Sequence, residues 1–206
     1  MAETPKPSEL QNVFAMDKPE HMLRKLFWEF NMFMKAMSVP HDDKQWPDAA
    51  IFIAFNTAIT AWHISDWIWQ SDPKTRVKMA SRLKVQFDEK TQTGRRVGLG
   101  RFQDNVAQQC RALHLCREIA NGSKHMRMDK PDTDVKAVAE WHKAIQGAGF
   151  AVPGDLVMSL NVMDGDKKED AGQVFISALG YWENLFTSEK LAEPSAHLHS
   201  KIIKAV

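Results

Sequence analysis

Leu23, Phe27, Phe30, Met34 and Met37 recur at steps of four, three, four and three, an amphipathic stripe that predicts a helix following Pro19. Proline suits the first helical turn, where no backbone N–H is needed as a donor. "SVPHDDKQWPD" then breaks the pattern with two prolines. The next run, "AAIFIAFNTAITAWHISDWIWQ", is apolar nearly all round; Asp48 can cap it and "SDP" ends it, so a central, buried helix is expected. Asn56, Thr60, His63 and Trp67 fall on one face of it as sparse polar and aromatic exceptions, with Asp66 three residues beyond His63. Residues 73–87 predict a third, basic helix, and "DEKTQTGRRVGLGR" a flexible, Gly-containing connection. A fourth helix is expected from about Phe102 to Asn121-Gly122, a good C-terminal stop signal.

After Pro131 the period changes. "DVKAVAEWHKA" alternates, with Val135, Ala137, Ala139 and Trp141 on one side, although its Ala and Lys content also suits a helix. "DLVMSLNVMDGD" alternates more clearly and ends in an Asp-Gly turn signal. Val174, Phe175, Ala178, Leu179, Trp182 and Phe186 return to helical spacing in a last helix beginning near Asp170. The expected fold is mainly α: a bundle of about five helices with a small antiparallel β hairpin before the C-terminal helix. Its expected extent is one domain over 18–190 with the hairpin near 134–164, between a loose arm at 1–17 and a peripheral tail at 191–206.

Composition narrows the class. The 206 residues, 44% hydrophobic and 26% charged, suit one soluble globular domain with a sizeable core. No apolar run reaches the roughly 18 to 20 residues that span a bilayer, and "MAETPKPSELQNVF" has no basic stretch leading into an apolar one. A cytoplasmic protein without a membrane partner is expected. Cys110 and Cys116, six apart on a helix, would sit on different faces and about 9 Å apart by helical rise, so reduced thiols are expected. The net charge of +1 hides an asymmetry: Lys74 to Arg101 holds nine Lys and Arg against Asp88 and Glu89. Such a stretch could meet a polyanion, with Arg76, Arg82, Arg95 and Arg96 as phosphate contacts, or be a solvated helix face and a loop.

Chemistry concentrates in the fourth helix. Cys110, His114, Arg117, Asn121, Lys124 and His125 share one face, opposite Leu113, Cys116 and Ala120. If this helix packs antiparallel to the buried one, a pocket between them could hold His63, Asp66, Arg117, Asn121 and His125. Such a set suits phosphodiester chemistry, with His moving a proton, Arg or Lys neutralising phosphate charge, and Asn fixing geometry. The same groups could equally satisfy one another in a closed core or complement a helix dipole. No C-x-x-C, H-E-x-x-H, G-x-S-x-G, Walker A or G-x-G-x-x-G motif is present, and neither a metal site nor a cofactor is expected.

The stretches "FNTAITAWHISDWIW" and "CREIANGSKH" resemble an uncharacterised group of bacterial helical proteins similar to HEPN (higher eukaryotes and prokaryotes nucleotide-binding) domains. That resemblance implies a helical bundle that dimerises. It also implies metal-independent ribonuclease activity in toxin–antitoxin, abortive-infection or CRISPR settings, with RNA or nucleotide as ligand and an antitoxin as a further partner. The family signature is Arg, often followed by a polar residue, with four to six residues between that Arg and a His. Here Arg117, polar Glu118 and His125 stand in that order with seven residues between Arg and His, Gly122 among them. Arg117 and His125 are thus the expected catalytic pair. Asn121, Lys124, His63, Asp66, His114, Arg95 and Arg96 are the expected binding residues. The expectation of a different class is a non-catalytic interaction protein whose Trp- and Met-rich faces cover a partner or a second copy.

Overall fold

In the computed structural model, whose described residues are 16–38, 46–122, 134–143 and 156–191, six helices and three strands are assigned. They are α1 (Pro19–Ser38), α2 (Trp46–Ser71), α3 (Pro73–Arg82), α4 (Gln92–Gln109), α5 (Arg111–Gly122), β1 (Val135–Lys143), β2 (Leu156–Asp164), β3 (Lys167–Asp170) and α6 (Ala171–Ser188). The fold is mainly helical, with a small antiparallel sheet before the last helix.

α2 is the axis of the bundle and packs against all five other helices. Its buried side carries Ala58, Ala61, Ile64, Ile68 and Trp69, small and large apolar groups that let neighbouring helices approach. Buried indoles fix two of those neighbours. Trp182 of α6 donates its Nε1–H to the Ala61 carbonyl at 2.8 Å, and Trp69 donates to the Arg95 carbonyl of α4 at 3.0 Å. Each bond satisfies a polar group that would otherwise cost stability inside the core. The expected α6 stripe is buried at every position, and Asp170 caps the helix by accepting from the Gln173 amide.

The sheet order is β1-β2-β3, antiparallel throughout. β1 pairs with β2 from Val135↔Asp164 to Lys143↔Leu156, so Ala137, Ala139 and Trp141 share the face of Val162, Leu160 and Met158. Those three β2 side chains are buried, with α6 packed against the strand. Gly165, at φ +57°, opens the two-residue turn into β3, a backbone conformation that costs glycine nothing. Arg111, the first residue of α5, pins this turn with Nη1 2.8 Å from Asp164 and Nε 2.7 Å from Glu169.

Several boundaries differ from the sequence expectation. β3 adds a third strand, because a short charged segment paired to β2 needs no alternating apolar pattern. α2 starts at Trp46, so Asp48 lies inside its first turn. The helix is also not buried all round: Ile51, Phe52 and Phe55 are exposed. On α1 the buried apolar positions are Met22, Leu23, Leu26, Phe30, Phe33 and Ala36, while Met34 is exposed. α3 stops at Arg82, two residues before Lys84 takes a positive φ of 54°, and a stretch without regular structure over 85–88 replaces its predicted last turn.

Most consequential are the two ends of α4. It begins at Gln92, capped by Thr91 accepting from the Gly94 amide, so the predicted flexible connection is largely helix. It also stops at Cys110, whose extended backbone (φ −132°, ψ 102°) divides the single expected helix into α4 and α5. Among the described residues no helix is long and apolar enough to cross a membrane.

Candidate functional site

The break at Cys110 turns α5 back against α2 and α4 and opens a cleft where the three helices meet. Cys110 ends α4 by donating its amide to the Val106 carbonyl, and its own carbonyl accepts from Leu113 and His114 to start α5. The cleft has a volume of about 410 Å³. α2 contributes Trp62, His63, Asp66 and Trp67, α4 contributes Gly100, Gln103 and Asp104, and α5 contributes Arg117 and Asn121. Helical spacing explains the grouping: His63, Asp66 and Trp67 are three and four residues apart, and Arg117 and Asn121 four apart.

Arg117 is the centre of the polar network. Its guanidinium carbon lies 5.7 Å from the centroid of the buried Trp62 ring, a cation–π arrangement. Nε donates to Glu118 at 2.9 Å and Nη1 to Asp104 at 3.2 Å. Nη2 lies 3.2 Å from Nδ1 of His114. Since guanidinium has no acceptor, this bond needs His114 to accept on Nδ1 and carry its proton on Nε2. Two carboxylates therefore face one cation. The Asp104 side chain is 66% exposed, and an ion pair that wet is worth at most about 1 kcal/mol, so an incoming anion can displace it. Glu118, at 8% exposure, is the permanent partner.

Gln103 ties the α4 wall to α2 by donating to Ser65 Oγ at 3.0 Å, and Ser65 in turn donates to the Trp62 carbonyl at 2.7 Å. The cleft floor is thus continuous with the hydrogen-bonded core. Both thiols near α5 are held protonated: burial raises the pKa of Cys110 and, still more, that of fully buried Cys116.

Of the residues expected from sequence, His63, Asp66, Arg117 and Asn121 come together in this cleft, with His114 against Arg117. Lys124 and His125 lie outside the described residues. Arg95 and Arg96 sit in the first turns of α4 and do not line the cleft. Arg95 donates to the Glu89 carbonyl at 2.7 Å, and Arg96, exposed, lies one helical turn before Gly100 on the same α4 face.

The basic stretch is largely engaged within the fold. Arg76 is buried, donating to the Trp69 carbonyl at 2.7 Å and to Glu89 at 2.5 Å. Arg82 pairs with Glu189 at 3.2 Å, and Arg101 donates to the Gln86 carbonyl at 2.6 Å. Arg76 and Arg82 therefore serve structure where phosphate contact was expected.

Sequence reasoning missed Gly100, Gln103 and Asp104 as site residues. Reading residues 88–101 as a connection hid Gly100, and reading one unbroken helix from Phe102 hid that Gln103 and Asp104 share a cleft with Arg117 across the break at Cys110. Among the described residues, no three His, Cys, Asp or Glu side chains converge as a metal site requires. Comparison of the chain with protein-family models, with curated proteins and with solved structures found no match.

Proposed function

We propose that the cleft between α2, α4 and α5 binds a nucleotide or a nucleotide unit of single-stranded RNA, in the manner implied by the HEPN resemblance. One observation carries this reading. His63, Asp66, Arg117 and Asn121, nominated by helical spacing on two separate segments, line one cleft together with Trp62 and Trp67. Aromatic walls give a base a surface to stack on, at about 1 to 3 kcal/mol per base. Asn121, Gln103 and Asp66 offer the donors and acceptors that read a base edge or a ribose hydroxyl. Arg117 takes the phosphate once the exposed Asp104 swings aside. A binding role suits the network better than hydrolysis, because Arg117 is already held by Glu118 and the signature spacing to His125 is one residue too long.

Tryptophan fluorescence titrated with mononucleotides and with a short single-stranded RNA tests this. Binding should be saturable, weaken with salt, and weaken at least tenfold in Arg117→Ala. Unchanged fluorescence and an unchanged melting temperature with every nucleotide would reject the reading. Cleavage of that RNA without added metal, lost in His125→Ala, would upgrade it to a ribonuclease.

The interaction-protein reading has its own support in a second place. Ile51 is 37% exposed and Phe55 40% exposed, large apolar side chains that line an apolar groove made of different residues from the polar cleft.

A further inference from the structure

β1 is an edge strand. Its inner side pairs with β2 along its whole length, and among the described residues no backbone hydrogen bond from another element reaches its outer side. A nine-residue edge is a template on which another strand can pair. On the face shared with buried Met158, Leu160 and Val162, the β1 residues Ala137, Ala139 and Trp141 remain exposed. A groove of about 180 Å³ lies against Ala137 and Ala139, with Ile51, Phe55 and Ile119 among its other walls. The apolar face therefore extends onto the edge strand itself.

We propose that β1 pairs with β1 of a second copy, antiparallel about a two-fold axis at Val138, joining two three-stranded sheets into one of six. A two-fold contact must be self-complementary, and in this register the strand is. Lys136 faces Glu140 of the second copy, and Glu140 faces its Lys136. Asp134 faces His142, Val135 faces Trp141, and Ala137 faces Ala139. Opposite charges and aromatic–β-branched pairs directly across antiparallel strands are the favourable combinations.

The neighbouring registers that keep every side chain on its own face are worse. Centring on Ala139 sets Lys136 against His142 and Val138 against Glu140. Centring on Ala137 sets Asp134 against Glu140. Charged side chains ordinarily protect an edge from indiscriminate pairing, and here they also select one alignment. Glu140 is positioned for it. Its contacts with Lys168 on β3, with Asn161 and with His142 all fall on Oε2, which leaves Oε1 for Lys136 of the second copy. The added strand also sets its Trp141 beside Val135, on the face that carries Ala137 and Ala139.

Sedimentation velocity of the full chain at micromolar concentration tests the pairing. The wild type should be a dimer. Lys136→Glu creates two Glu–Glu oppositions and Glu140→Lys two Lys–Lys oppositions, so each alone should loosen the dimer by about tenfold or more. Mixed in equal amounts, the two variants restore both opposite-charge pairs and should dimerise as the wild type does. Lys136 is exposed, so Lys136→Glu must loosen the dimer even if Glu140→Lys, which also loses Lys168, fails to fold. A strictly monomeric wild type overturns the proposal. So does a dimer indifferent to Lys136→Glu, or a mixture no tighter than its components.

Discussion

α2 and α5 build both the polar cleft and the apolar groove, and they do so with different residues of the same two helices. On α5 the separation is angular: Arg117 and Asn121 lie one turn apart, while Ile119 points about 200° round from Arg117. On α2 it is axial: Ile51, Ala54 and Phe55 line the groove, and Trp62, His63, Asp66 and Trp67 line the cleft, roughly 16 Å further along. The cleft is walled by core. Trp62 is buried, Gln103 is bonded to buried Ser65, and Arg117 is held by three side chains. The groove is edged by Ile51 and Phe55, both exposed. A preformed polar cavity suits a small ligand whose binding pays little for ordering. An open apolar edge suits another polypeptide.

Deleting one aromatic wall from each region should separate them most. Trp62→Ala removes a buried indole and the surface under Arg117, and should cost about 3 to 5 kcal/mol in urea denaturation. Phe55→Ala removes a ring that is 40% exposed and should cost less than about 1.5 kcal/mol. Equal losses would mean that the cleft is no more preformed than the groove.

The helical face that carries His63 and Asp66, and the one that carries Arg117 and Asn121, were legible because a helix fixes which residues share a side. The α6 stripe was legible for the same reason. The first turns of α4 were not. Gly94, Gly98 and Gly100 read as a connection, yet Gly98 is helical because α4 approaches Trp69 and Phe87 too closely for a side chain. Tertiary packing there overrides glycine's poor helix propensity. The break at Cys110 was also hidden, since neither proline nor glycine marks it. Without it, α4 and α5 would be one rod and could not form two walls of a cleft. The edge position of β1 was hidden for another reason: alternation shows which face is apolar but not where a strand sits in its sheet.

Gly98→Ala tests that close approach. A Cβ there would lie 2.6 Å from Trp69 Cζ2 and 2.7 Å from Phe87 Cβ, so the α4 wall must move outward. Overpacking of this kind costs about 1 to 3 kcal/mol. Ligand affinity in the cleft should fall with it, and the dimer should be unaffected. A stabilised Gly98→Ala protein would show that α4 is loosely seated.

Crossed substitutions separate the two regions. Arg117→Lys keeps the charge but loses the planar stack on Trp62 and the forked contact to acids, so nucleotide binding should still fall by about tenfold, near 1.4 kcal/mol. Its sedimentation should match the wild type. Phe55→Asp should leave nucleotide titrations unchanged while weakening self-association, because it sets a charge in the groove beside β1. If either substitution moves both readouts, cleft and groove are coupled through α2 and α5.

The smallest effect is alkaline, and it falls on the α4–α5 junction that both regions share. Burial raises the thiol of Cys110, the residue between the two helices, and that of Cys116 in α5. Burial, with a smaller contribution from Cys110, pushes the Tyr181 phenol up to about 12, where its hydroxyl donates to Gln109 at the end of α4. In each case the folded protein holds its proton more tightly than the unfolded chain does. Stability is therefore level below the unfolded thiol pKa of about 8.5 and falls above it, as the unfolded chain loses protons first. The loss is below about 1 kcal/mol per thiol at pH 9 and steepens toward the phenol range. Melting temperature followed from pH 7 to 10 should be flat and then decline, and Cys116→Ala should decline less steeply. An alkaline limb identical in Cys116→Ala would mean that the loss arises elsewhere than at the junction orienting α5 between the cleft and the groove.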